Sequence, residues 1–151
     1  MPSVRRNATR RDRISRGALA AFFLGAGTIH FVKPEPYEAI VPPGLPLTRE
    51  IVYLSGVAEI VGGLGVLSAR LRPWSGWWLI ALLIAVFPAN VYHAVAAERI
   101  PDNPVSQPVL IARLPLQALM IAWVWQATEP ALAIARRRRL GRAREALRRR
   151  R

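Results

Sequence analysis

Cysteine is absent from the 151 residues. With it go disulfide frameworks, CxxC redox pairs, thiolate metal sites and cysteine nucleophiles. Histidine occurs twice, as His30 and His93. Neither has a second good ligand at metal-binding spacing, so no zinc or haem site is expected. No flavin, haem or metal motif is visible either, and any redox role must use a bound cofactor or non-thiol side chains, with electrons from a partner. Lysine is nearly missing too: apart from Lys33, all 22 basic residues are arginine.

What is present is segregated. Residues 1–16 hold six arginines against Asp12, and residues 136–151 hold ten against Glu145. Residues 17–135 carry six basic and seven acidic side chains. The net charge of +13 therefore belongs to two tails around a nearly neutral, apolar body. A nucleic-acid-binding domain would cluster its basic residues on a folded face, so no nucleic-acid partner is expected. The apolar residues come in long runs, which excludes an ordinary soluble domain. Three parts follow: a basic tail 1–16, a membrane body 17–130 and an Arg-rich tail 131–151.

Crossing a bilayer takes about 20 apolar residues in a helix, and the body supplies four such runs. They are Gly17–Val32 (with a start as early as Ile14 and Ser15 near its cap), Ile51–Ala69, Trp74–Ala97 and Pro108–Thr128. Thr48 is placed to cap the second, Pro73 precedes the third, and Asp102-Asn103-Pro104 breaks the chain before the fourth. The expected fold is all-α, a polytopic membrane four-helix bundle. Both tails and Arg70–Pro73 then share one side, leaving Lys33, Arg49 and Arg99 on the other. Basic residues in short flanking segments stay cytoplasmic, so both termini are expected inside. Trp74, Trp77, Trp78, Trp123 and Trp125 fall at that same inner interface. An export signal is the competing reading of the N-terminus, but no small-x-small cleavage site follows the apolar run.

The outer loop Lys33–Glu50 contains Pro34, Pro36, Pro42, Pro43 and Pro46 together with Tyr37, Ile40, Val41, Leu45 and Leu47. Proline stiffens it, and its apolar residues suit either a lid over the bundle mouth or an interfacial packing loop.

Ionisable groups inside a span cost about 2.5–3.5 kcal/mol each on insertion scales, so they are expected to be paired and to face the interior. Here they are His30, Glu59, His93 and Arg113, joined by the amides Asn90 and Gln117. At about 1.5 Å per residue, Glu59 lies about 12 Å below Ile51 and Arg113 about 8 Å below Pro108. All six fall in the outer half. Ser55, Gly56, Glu59, Gly62 and Gly63 form a small-residue stripe that admits a close neighbour and sets the carboxylate at the contact. Arg113 and Gln117 share one helix face, and so do Asn90 and His93. Pro88 and Pro115 free the carbonyls of Ile84 and Ile111, which polar side chains or a ligand are expected to satisfy. The simplest pair is Glu59 with Arg113. It serves either to fix helix register or to handle a ligand or proton.

The runs HFVKPEPYEAIVPPGLP (His30–Pro46), YLSGVAEIVGG (Tyr53–Gly63), FPANVY (Phe87–Tyr92) and RLPLQ (Arg113–Gln117) resemble the DoxX family of small bacterial membrane proteins over residues 17–128. By motif, His30, Pro34, Tyr37, Pro42, Pro43, Glu59, Asn90, Arg113 and Gln117 carry over. The resemblance implies a four-helix bundle in a bacterial inner membrane, loosely associated with membrane redox complexes. Together with the polar residues in the outer half, of which His93 matches no family motif, it points to a subunit or accessory that binds a quinone-like molecule, His30 and Asn90 hydrogen-bonding its carbonyl, and that is not an enzyme on its own. Glu59, Arg113 and His30 would handle the proton, and Asn90, Gln117, Tyr37, Tyr53 and His93 would bind the ligand. A scaffold whose tails recruit cytoplasmic partners, and a small anion transporter using Arg113, are the alternatives. Expected partners are the bilayer, anionic lipid at the arginine tails, redox proteins and a second copy of the chain.

Overall fold

The computed structural model describes residues 9–100 and 105–129. Every regular element among them is helical: α1 (Arg10–Val32), the single turn α2 (Glu35–Glu38), α3 (Thr48–Leu67), α4 (Arg72–Val95), a 3₁₀ turn (Ala97–Arg99) and α5 (Gln107–Thr128). The four longer helices are each long and apolar enough to cross a membrane. The expectations for residues 131–151 and for Asp102-Asn103-Pro104 lie outside the described residues.

Local chemistry moves several helix ends. α1 begins at Arg10, seven residues before Gly17, because Thr9 and Asp12 close a reciprocal capping box. Thr9 Oγ1 accepts from the Asp12 amide at 3.2 Å, and the Thr9 amide donates to Asp12 Oδ2 at 2.9 Å. Ser15, the expected cap, therefore lies inside the helix. Thr48 does not cap α3 either. It is the first helical residue, and the cap position is Leu47 in the left-handed conformation at φ 59°, whose carbonyl accepts from the Ile51 amide. α4 starts at Arg72 with Pro73 in its first turn, where no amide is needed. Pro88 and Pro115 sit inside α4 and α5 without ending them.

Each long helix runs antiparallel to the next, and the four close into a ring in the order α1, α3, α4, α5. α1 packs most heavily on α3, whereas the contact between α1 and α5 is the slightest around the ring. Glycine sets the α1–α3 crossing. A Cβ on Gly27 would lie 2.6 Å from the Gly56 carbonyl, and one on Gly56 would lie 2.8 Å from that of Gly27. Only hydrogen permits this approach. The buried small residues of α3, Gly56, Gly62 and Gly63, face its neighbours, while Leu54, Val57, Val61 and Leu64 point outward.

The apolar core fills one end of the ring. Leu19, Phe23, Val66, Leu79, Ile80, Val124 and Ala127 pack there. Two arginines close the helix C-termini at the same end. Arg16 Nε donates to the Ala127 carbonyl and Arg72 Nε to that of Val66, each at 2.9 Å. Carbonyls left unpaired at helix ends favour such cationic partners. The opposite end holds a smaller cluster of Ala94, Ala97 and Leu110. Between the two clusters the ring is not filled.

Candidate functional site

A cavity of about 610 Å³ occupies that space. α1 supplies Phe22, Phe23, Ala26 and His30, and α3 supplies Glu59. Leu83, Val86 and Asn90 come from α4. Arg113, Leu116, Gln117, Leu119, Met120 and Trp123 come from α5, and Tyr37 from α2. Helical spacing explains the set. Phe23, Ala26 and His30 recur at three and four, as do Leu83, Val86 and Asn90, and again Arg113, Gln117 and Met120. α1, α4 and α5 thus each present one stripe that is polar towards one end and apolar towards the other. From Arg113 to Trp123 the cavity runs about 15 Å at about 1.5 Å per residue.

At the apolar end, Trp123 Nε1 donates to Ser15 Oγ at 2.9 Å, joining α5 to α1. Trp123 is therefore a wall of the cavity as well as one of the tryptophans at that end of the bundle. Phe22, Leu116 and Leu119 line the cavity and are also exposed on the outer surface. They mark the α1–α5 seam as its side opening.

The polar end is built from three pieces. Asn90 Nδ2 donates to Gln117 Oε1 at 2.7 Å, and Gln117 Nε2 donates to the Leu83 carbonyl. This chain ties α4 to α5. The bonded carbonyl is that of Leu83, one residue before the carbonyl of Ile84 freed by Pro88. The expected repair at Ile84 is thus displaced by one position.

Glu59 forms the second piece, and here the simplest expected pair is corrected. The side chain set against it is that of His30, with Nδ1 and Oε2 3.9 Å apart. No Arg113 nitrogen lies within 4.0 Å of the Glu59 carboxylate oxygens. Topology is the reason: α1 and α3 touch backbone to backbone at Gly27 and Gly56, whereas α3 and α5 are opposite corners of the ring. Arg113 faces Glu59 across the cavity from an exposed position on its rim. Glu59 Oε2 is buried and accepts no hydrogen bond. His30 Nδ1 is 2.9 Å from the Ala26 carbonyl, which can only accept, so that nitrogen carries the proton.

The third piece comes from the proline-rich connection. Tyr37 stacks on His30 with ring centroids 3.9 Å apart and planes 26° from parallel. Burial pushes its phenol above the ordinary range. The Glu59 charge adds to the rise and Arg113 opposes it, leaving a hydroxyl that stays protonated and able to donate. Behind it, Ile40 and Val41 line a smaller cavity of about 110 Å³, which shares His30, Tyr37, Glu59, Asn90 and Arg113 with the larger one.

Six of the eight residues picked from sequence therefore converge: His30, Tyr37, Glu59, Asn90, Arg113 and Gln117. Two do not. Tyr53 stacks on Phe31, centroids 5.3 Å apart, and lines neither cavity. His93 shares the expected helix edge with Asn90 but is buried beyond the cavity, beside the Ala94 cluster. The apolar wall of Phe22, Phe23, Leu83, Leu119 and Met120 was not anticipated.

These features define a four-helix protein with an amphipathic chamber entered from its side. The chain belongs to a family described as a domain of unknown function, DUF8561, whose model matches residues 19–128, from the core Leu19 to the last residue of α5. No curated protein and no solved structure matches it.

Proposed function

We propose that this is a multi-pass inner-membrane protein related to the DoxX family. In this role it binds a quinone-like amphipathic molecule as a subunit or accessory of a membrane redox system. The observation that carries it is the division of the cavity: a polar head end at His30, Glu59, Asn90 and Arg113, continued by an apolar sleeve, the two together about 15 Å long. An aromatic head on an isoprenoid or alkyl tail has that shape, and a cavity of this volume lies in the usual ligand range. The exposed seam between α1 and α5 would face acyl chains, so such a ligand enters without passing through water. Glu59 and His30, in contact with each other and with the cavity, are the groups that would take or give a proton. Electrons would come from a partner protein. With both termini cytoplasmic, the head end lies in the outer half of the bilayer beneath the Tyr37 loop, which acts as a lid. Anion transport fits less well, because Glu59 shares the cavity with Arg113 and repels an anion placed there.

The test is mass spectrometry of small molecules retained by the protein after purification from its own membrane in mild detergent. A stoichiometric isoprenoid or alkyl aromatic is expected. Recovery of phospholipid alone, at the level of an unrelated membrane protein, would overturn the reading.

A further inference from the structure

The hydrogen-bond polarity of the head end selects among ligands. The Leu83 carbonyl can only accept, so it fixes the Gln117 amide with Nε2 towards it and Oε1 free to accept. That oxygen takes the Asn90 Nδ2 proton at 2.7 Å, which leaves Asn90 Oδ1 as the open end of the chain. His30 gives its Nδ1 proton to the Ala26 carbonyl, so in the neutral ring Nε2 holds a lone pair. Glu59 Oε2 is buried and accepts from no described residue. Three helices thus bring acceptors to one chamber. The donors left there are the second protons of Asn90 Nδ2 and Gln117 Nε2, Tyr37 above the cluster, and Arg113 on the rim.

We propose that the chamber takes its ligand in a hydroxyl-bearing form, a phenol or diphenol head donating to Asn90 Oδ1 and the Glu59 carboxylate and accepting from Arg113. This rests on the proposed binding of a quinone-like molecule and specifies which form of it the site prefers. A hydroxyl both donates and accepts. A quinone carbonyl only accepts, so it can take a proton from Arg113, Tyr37 or the Asn90 amide, but it leaves Asn90 Oδ1 and the Glu59 carboxylate without a donor. A carboxylate head sets like charge against Glu59. Buried polar groups left without partners are the strongest source of discrimination between close analogues.

The experiment uses the full chain in lipid nanodiscs and four probes with one decyl tail: a benzoquinone, its hydroquinone, a phenol and plain decylbenzene. The absence of cysteine lets the hydroquinone be kept reduced without altering the protein. Quenching of tryptophan emission reports binding, since Trp123 lines the chamber. The hydroquinone and phenol are expected to bind at least about tenfold more tightly than the quinone, and Asn90→Ala to narrow that ratio about two- to tenfold. Equal affinities, or tighter quinone binding, would overturn the inference while leaving the binding of quinone-like molecules intact. A phenol that binds no better than decylbenzene counts against it in the same way. No binding of any headed probe would overturn both. Should Asn90→Ala fail to fold, the comparison on the unaltered protein decides.

Discussion

Glu59 is held where a carboxylate is hard to justify on packing grounds alone. It lies against His30, across from Arg113, with one oxygen buried and unbonded. Glu59→Gln keeps its shape and removes its charge. The variant is expected to reach the membrane at normal abundance and to lose retention of the co-purifying ligand, measured by mass spectrometry. Its disappearance from the membrane would instead mark the residue as a helix-register device. Most of the polar set could be found from sequence because each member is an ionisable or amide side chain in an otherwise apolar run, where its cost demands a purpose. Pairing was not legible. Opposite charge suggested Glu59 with Arg113, but which helices are neighbours in the ring decided for His30. His93 misled for a related reason: a shift of three residues shares a face only approximately, and at the end of α4 that was enough to carry it past the cavity.

At the level of the helix, the glycine pair Gly27 and Gly56 does what no side chain could. Their backbones touch, and this approach is what brings His30 to Glu59. Gly56→Val would drive a side chain into the Gly27 carbonyl, His30 and Phe31. It is expected to destabilise the protein by about 1–3 kcal/mol, as overpacking generally does. The check is a lower thermal midpoint in detergent, together with weaker ligand retention. Exposed Gly25, which has open space around it, serves as the control and should tolerate alanine. The four apolar runs announced α1, α3, α4 and α5, while their ends depended on contacts of single residues. The Thr9–Asp12 box lay in a segment that arginine composition marked as tail. Leu47 entered a left-handed cap that no preference of leucine foretells. The apolar sleeve was legible in principle, since Ala26, Phe23, Val86, Leu83 and Met120 continue the polar stripes at the same spacing. It went unread because an apolar residue in an apolar helix carries no signal until a neighbouring residue fixes which face turns inward.

For the whole molecule, orientation is the property with the sharpest test. The chain has no cysteine, so single cysteines can be introduced freely. Leu45→Cys, in the proline-rich loop, is expected to react with an impermeant thiol reagent on intact cells, and Ala69→Cys, between α3 and α4, only after permeabilisation. The reverse pattern would invert the topology and place the polar head end on the cytoplasmic side. Arg16 holds the Ala127 carbonyl across 111 residues of chain, and Ser15 meets Trp123 across 108. Nascent chains emerge from the N-terminus, so neither clasp can fasten before almost the entire body has left the ribosome. Through most of biogenesis the first helix therefore has no final neighbour on that flank.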